Sequence, residues 1–401
     1  MVSSRYLTAA QVAAALGISR SSVYAYVSRG RVRAYPHPSD CRASIYSATD
    51  VETLRKRKEA RRNPEVAAKQ NLAWGMPVLE SSITLIRDGR LYYRGRDVVT
   101  LAAHATFEQV AQLLWHGDER AASIRFPGIG RANLPERRSM TAIARMQSML
   151  PLIAARDRNA LDTSRAAVTN AGRRIVGGLT MATAPRCGQQ GAVAMRLARA
   201  WRREDPHVER ALNLVLTVCA DHELNASTFA VRIVASAGAS PYDAVAAGLA
   251  ALRGFRHGGD TERVEDMLDE VLPRPASFAR LLAKHAQEGT ATPGFGHPLY
   301  PDGDPRAAAM LDLIALHWPD TGAAGVAAAI LAQREEQPVG YPNLDFGLVL
   351  LRRAIGLPRG AALALFALGR SAGWIAHALE QYETAQLIRP RALYAGRRPI
   401  D

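Results

Sequence analysis

Between Tyr6 and Gly30 apolar residues recur four apart in two short runs, Val12 with Leu16 and Val23 with Val27, each introduced by a hydroxyl residue. Thr8 and Ser19 are suited to cap helices there, Gly17 to turn the chain between them and Gly30 to end the second, so the pattern predicts two helices around a tight turn. The next stretch, R-V-R-A-Y-P-H-P-S-D-C-R-A-S-I-Y, alternates on both sides of a Pro/Ser/Asp turn and predicts a hairpin; a helix is expected from Asp50. From Trp74 onward the pattern changes to long Ala/Leu-rich stretches broken by Gly and Pro. One hairpin is expected around Asp88-Gly89 in I-T-L-I-R-D-G-R-L-Y-Y-R-G. After it helical spacing dominates, as in T-F-E-Q-V-A-Q-L-L-W, where Thr106 is a cap and Phe107, Val110, Leu113 and Leu114 share a face. Residues 71–401 therefore read as mainly α-helical, without an internal repeat.

Composition adds bounds. With 401 residues and 48% hydrophobic content, the chain is long enough for two or three domains and a large core. Arg interrupts the apolar stretches before they reach the roughly 18 residues of a membrane span, and the N-terminus lacks a charged-then-apolar leader, so a cytoplasmic protein without membrane contact is expected. Cys41, Cys187 and Cys219 are too widely spaced to suggest a disulfide framework or a metal site. The formal charge of +14 is uneven: residues 1–70 hold 13 Lys and Arg against 5 Asp and Glu. More than half of the excess thus lies in the first sixth of the chain, which suits that end to phosphates.

The two helices, tight turn and hairpin of residues 5–60 resemble the winged helix-turn-helix of the MerR and excisionase type. The resemblance implies a domain over 1–62 and a DNA partner. Arg20, Ser21, Ser22 and Tyr24 would face the major groove, and Arg29, Arg31 and Arg33 would lie near backbone phosphates. The alternative is a small basic docking module. The run R-K-R-K-E-A-R-R-N-P reads as a solvated helix end leading into a linker over 63–70.

Further along, the stretches A-D-H-E-L-N-A-S-T-F, H-G-G, P-G-F-G-H-P-L-Y, D-P-R, P-N-L-D-F-G, G-R-S-A-G-W-I-A-H-A-L-E-Q and R-P-R-A-L-Y-A-G follow the hairpin in order. Together they resemble citrate synthase over about 330 residues. The family's chemistry needs a base for a weakly acidic thioester methyl group and a donor for the enolate oxygen. The resemblance assigns the base to Asp345 and the donor to His257, beside glycines that permit close approach. It assigns His297 to polarising and protonating the ketone of oxaloacetate, and His222, Arg306 and Arg370 to binding that dianion, for which Arg forks are well suited. Arg389, with Arg391 as the near alternative, matches a residue that reaches the other subunit's active site, which implies a homodimer. Pro293, Gly294, Phe295 and Gly296 match a loop lying against the CoA adenine. His37, His104, His116, His207, His285, His317 and His377 read as structural.

What the resemblance implies is an all-α fold with a large subdomain, about 71–257 and 353–401, and a small one, about 258–352. The activity implied is an acyltransferase reaction of acetyl-CoA, oxaloacetate and water giving citrate and CoA, with no metal and no cofactor. Alternatives are 2-methylcitrate synthesis from propionyl-CoA, since one methylene is worth only about 1–3 kcal/mol in a pocket, and a DNA-binding regulator that senses metabolites with a synthase fold. Two departures from the usual pattern stand beside the site. H-G-G is followed by Asp260 and Thr261 where Ala and Asn are common, and His297 by Pro298 where Arg is common.

Overall fold

The computed structural model describes residues 6–37, 40–48, 50–52, 54–55, 78–118, 124–128, 140–274, 277–332, 340–392 and 394–397. Two compact units are present, Met1–Glu80 and Ser81–Asp401. The expected linker over 63–70 lies outside the described residues.

In the first unit, strand β1 (Tyr6–Thr8) leads into α1 (Ala9–Leu16) and α2 (Arg20–Ser28), followed by β2 (Ala34–His37) and β3 (Asp40–Ser47). Both expected caps form. Thr8 accepts from the N–H of Gln11 in a full capping box, and Ser19 accepts from that of Ser22. Gly17, at φ 58°, makes the left-handed turn between the helices. β3 pairs antiparallel with β2, as the alternation predicts, and also with β1. That third strand escaped the sequence reading, because three residues are too few to display alternation. The α1 and α2 positions Val12, Leu16 and Val23 meet Val32, Tyr46 and Val51 in a small core. Arg33, expected near phosphates, forks onto Asp50, with Nε 2.9 Å from Oδ2 and Nη2 3.0 Å from Oδ1.

The second unit opens with a three-stranded meander, β4 (Thr84–Arg87), β5 (Arg90–Tyr93) and β6 (Arg96–Asp97). Asp88 and Gly89 turn it with φ of 51° and 72°, the left-handed pair a two-residue hairpin needs. Helices follow: α3 (Val98–His104), α4 (Phe107–His116), α5 (Ala142–Ala154), α6 (Arg165–Thr183), α7 (Val193–Ala200), α8 (Pro206–Cys219), α9 (Ala226–Ser236) and α10 (Pro241–Leu252). Then come α11 (Asp260–Val271), α12 (Ser277–Glu288), α13 (Pro305–His317), α14 (Gly322–Ala332), α15 (Leu344–Ile355) and α16 (Ala361–Thr384). Thr106 caps α4 with a capping box, and Phe107, Val110, Leu113 and Leu114 are buried as the spacing predicts.

Two contacts decide where the chemistry sits. α16 is long and apolar enough to cross a membrane, yet its apolar window is wholly buried within the unit. It crosses the end of α8 at Gly369 and Gly373, where a Cβ would fall 2.7 Å from the Leu216 carbonyl oxygen and 2.3 Å from that of Ala220. Only glycines allow so close a crossing, and it brings Arg370 beside the residues that leave α8. From the other side the meander braces the same point. Tyr93 Oη accepts from the N–H of Asp221 at 3.0 Å, and Thr84 Oγ1 donates to Asp221 Oδ2 at 2.6 Å. Separately, Glu265 of α11 accepts from both Arg352 and Arg353 of α15, locking those helices together.

Candidate active site

His222 follows α8 and is buried. Asn225 reaches back to its carbonyl oxygen through Nδ2 at 3.1 Å while capping α9 with Oδ1. His222 Nε2 lies 3.0 Å from Tyr300 Oη, and its ring meets that of His297 edge-on at 5.3 Å. His297 Nδ1 accepts from the N–H of Leu299 at 3.2 Å. A neutral imidazole has one proton, so in His297 it must sit on Nε2, which makes that nitrogen the donor of the ring.

His257 occupies the turn between α10 and α11, where its Nε2 is 2.9 Å from Ser227 Oγ. Ser227 has one hydroxyl proton and two acceptors in reach, this nitrogen and Asn225 Oδ1 at 2.7 Å. Which of them takes the proton decides which ring nitrogen of His257 can donate. Gly259 makes the turn possible, because a Cβ there would lie 2.8 Å from the Gly254 carbonyl oxygen.

Asp345 lies in the first turn of α15, held by Asn343, whose Oδ1 accepts from the N–H groups of Asp345 and Phe346. Its own Oδ1 is buried without a hydrogen-bond partner, and so is Nη1 of Arg370. Arg370 is otherwise tied by Nε to the Cys219 carbonyl oxygen at 2.8 Å, with its guanidinium 5.1 Å from the Phe366 ring. Buried polar atoms are nearly always paired, so an orphaned carboxylate oxygen and an orphaned guanidinium N–H mark a place made for a ligand. Arg306 differs. Asp304 already holds its fork, with Nε to Oδ1 at 2.9 Å and Nη2 to Oδ2 at 2.7 Å, and Asp304 Oδ2 also accepts from the N–H of Leu344.

The charges show that these groups share one environment. His222 is held well below its ordinary pKa by burial, then by Arg306, Arg370, His297 and His257. Burial, followed by Arg370, lowers His257 to about 4; burial, followed by Arg306, lowers His297 to about 4. Burial, followed by the neighbouring charge of Asp260, pushes Asp345 up to about 8. At neutral pH the three imidazoles are thus uncharged.

A stability prediction follows from these shifts. Below pH 6.5 an unfolded chain takes up protons at histidine that folded His257 and His297 refuse until about pH 4. Their contribution is therefore full above pH 6.5 and is lost as pH falls toward 4. Asp345 has the opposite sign: its burial is tolerated at low pH and becomes costly as pH rises from 3.8 through 8. Thermal midpoints of His297→Gln should consequently fall less between pH 6.5 and 4.5 than those of the unaltered protein; parallel curves would contradict the assignment.

Of the residues expected from sequence, His222, His257, His297, Asp345, Arg306 and Arg370 form this single cluster. Pro293, Gly294, Phe295 and Gly296 form the loop before His297. It is joined to the strand-like segment before Asp345 by a Phe295–Pro342 bridge. Arg389 and Arg391 are exposed on the surface of the single chain, outside the cluster. Ser227, Tyr300 and Asp304 were missed. Tyr300 and Asp304 stand three and seven residues after His297, close enough to have been suspected. His377, read as structural, sits buried with Nε2 3.3 Å from Asp221 Oδ2, just behind His222. Among the described residues no group of three or more His, Cys, Asp or Glu could hold a metal ion.

The family model "Citrate synthase, C-terminal domain" matches residues 72–391. Citrate synthase of Corynebacterium glutamicum is 31% identical over 370 residues, which cover 79% of this chain and 83% of that one. Citrate synthase of Haloferax volcanii is 29% identical over 374 residues, covering 82% and 96%. The crystal structure of citrate synthase from Pyrobaculum aerophilum superposes with a TM-score of 0.70 at 25% identity, over 81% of this chain and 92% of that one. The matched span begins before the meander and runs through every member of the cluster, and on that ground the chain belongs to the citrate synthase family.

Proposed function

We infer that this protein is an acyltransferase that condenses acetyl-CoA with oxaloacetate and water to give citrate and CoA. The observation that carries this reading is the pair of orphaned atoms, Oδ1 of Asp345 and Nη1 of Arg370, in one electrostatic environment with three neutral histidines. Ionised Asp345 takes a proton from the methyl group of acetyl-CoA, while a ring N–H of His257 stabilises the enol oxygen. The new carbon nucleophile attacks the ketone of oxaloacetate, whose carboxylates Arg370 and Arg306 attract with His222 beside them. The ketone oxygen takes its proton from Nε2 of His297, and a C–C bond replaces the C=O π bond. Water then adds to the thioester of citryl-CoA, releasing CoA thiol and citrate. For His257 to donate through Nδ1, the Ser227 hydroxyl must turn from Asn225 toward Nε2.

The same reading assigns the Pro293–Gly296 loop to CoA. It divides residues 71–401 into a large part, about 71–257 and 353–401, and a small part, about 258–352, that closes over the substrates. It pairs two copies of the chain so that Arg389, solvent-exposed in one copy, completes the site of the other. Thiol release compared for acetyl-CoA and propionyl-CoA should give the higher kcat/KM with acetyl-CoA. The reverse order would make propionyl-CoA the substrate, and no release with either would leave the sensor reading.

For residues 1–62 we propose a winged helix-turn-helix that binds DNA. In support, Arg20 and Ser21 are exposed at the start of the second helix, as is Tyr24; Ser22 is half-buried beneath its cap. A gel shift with genomic DNA fragments should be weakened by Arg20→Glu and by salt, because phosphate contacts exchange with counterions. Binding insensitive to both would remove the proposal.

A further inference from the structure

Gly294 is the point at which the three catalytic segments meet. Its N–H donates to Asp260 Oδ2 at 3.1 Å, and its carbonyl oxygen accepts from the N–H of Asn343 at 2.8 Å. Two residues on, the N–H of Gly296 donates to the Tyr341 carbonyl oxygen at 2.8 Å. Gly294 holds φ at 77°, and a Cβ there would lie 2.8 Å from both Phe346 Cβ and Val264 Cγ2. One buried backbone unit thus touches α11, three residues beyond His257; the loop that ends in His297; and the segment that ends in Asp345. The side chain that closes this junction is Asp260. Its second oxygen accepts from Arg263 Nη1 at 2.9 Å, so the carboxylate is fixed from both sides.

Building on the condensation reading, we propose that Asp260 is a positioning residue for the reaction: its carboxylate anchors Gly294 and so sets the spacing of His257, His297 and Asp345. An alanine here would strand the N–H of Gly294, because a methyl group cannot accept a hydrogen bond. The charge has a separate effect. Asp345 is raised by burial first and by Asp260 second; Asp304 raises it too, while Arg306 and Arg370 lower it. Loss of the Asp260 charge therefore lets Asp345 ionise at lower pH.

The full-length protein with Asp260→Ala and with Asp260→Asn separates the two effects. Hydrogen–deuterium exchange of the ligand-free protein should show the amide of Gly294 exchanging at least about tenfold faster in the alanine variant. The asparagine variant, which retains an acceptor oxygen, should keep most of the protection. In both variants the acid limb of the kcat/KM profile for acetyl-CoA should move to lower pH by about half a unit or more. KM for acetyl-CoA should rise only in the alanine variant. Unchanged exchange at Gly294 in Asp260→Ala would overturn the anchoring role, and an acid limb that stays in place in Asp260→Asn would overturn the charge effect. Failure of the unaltered protein to turn over either acyl-CoA would instead defeat the condensation reading, and the exchange measurement would still decide the anchoring.

Discussion

Replacing Asp345 by Asn should lower thiol release from acetyl-CoA and oxaloacetate by about 10²–10⁴-fold, the usual worth of a positioned general base. The substitution keeps the shape of the side chain and removes its ability to take a proton. Folding should survive it, because the cost of burying an ionised carboxylate disappears; the thermal midpoint at pH 8 should hold or rise. The pH profile offers a second reading of the same residue. Asp345 acts as a base only when ionised, and burial together with Asp260 raises it to about 8. For the unaltered enzyme, kcat/KM should therefore climb with pH through that region, and the climb should vanish in Asp345→Asn. A full-rate Asn variant would exclude Asp345 as the base.

Arg370→Gln should raise KM for oxaloacetate by on the order of 10²–10³-fold with a much smaller change in KM for acetyl-CoA, since a desolvated charge pair is costly to break. The residue is 1% exposed, and its Nη1 has no partner. Burial lowers its pKa, an effect that the neighbouring charge of Asp221 only partly offsets. Removal of the Arg370 charge should then leave stability intact or increased. A merely structural arginine would behave in the opposite way, with a fall in thermal midpoint and an unchanged KM. Arg306 is the contrast. Its fork belongs to Asp304, which also anchors the N–H of Leu344 beside Asp345, so Arg306→Gln should reduce stability as well as binding.

Features written in local spacing were legible in the sequence. Thr8, Ser19 and Thr106 cap the helices they precede, and Asp88-Gly89 turns its hairpin, because caps and tight turns depend on neighbours in the chain. Motif order was also enough to gather the histidines, Asp345 and Arg370 before any contact was known. Contacts between distant segments left no such trace. Ser227 beside His257 and Tyr300 beside His222 arise only when separate segments of the chain pack. The glycines of G-R-S-A-G illustrate the boundary: the motif is visible, yet its reason, the approach of α16 to the Ala220 carbonyl oxygen, is a property of the packed pair. Asp260 shows the same limit. As a letter it is a departure beside H-G-G, and only its bond to Gly294 gives it a role.

The most direct test of a condensing site built from Asp345, His257 and His297 is a product balance on the purified full-length protein with acetyl-CoA and oxaloacetate. One thiol should appear for each citrate formed, and both should vanish together in Asp345→Asn. Thiol released without citrate, or citrate formation that persists in the variant, would contradict it.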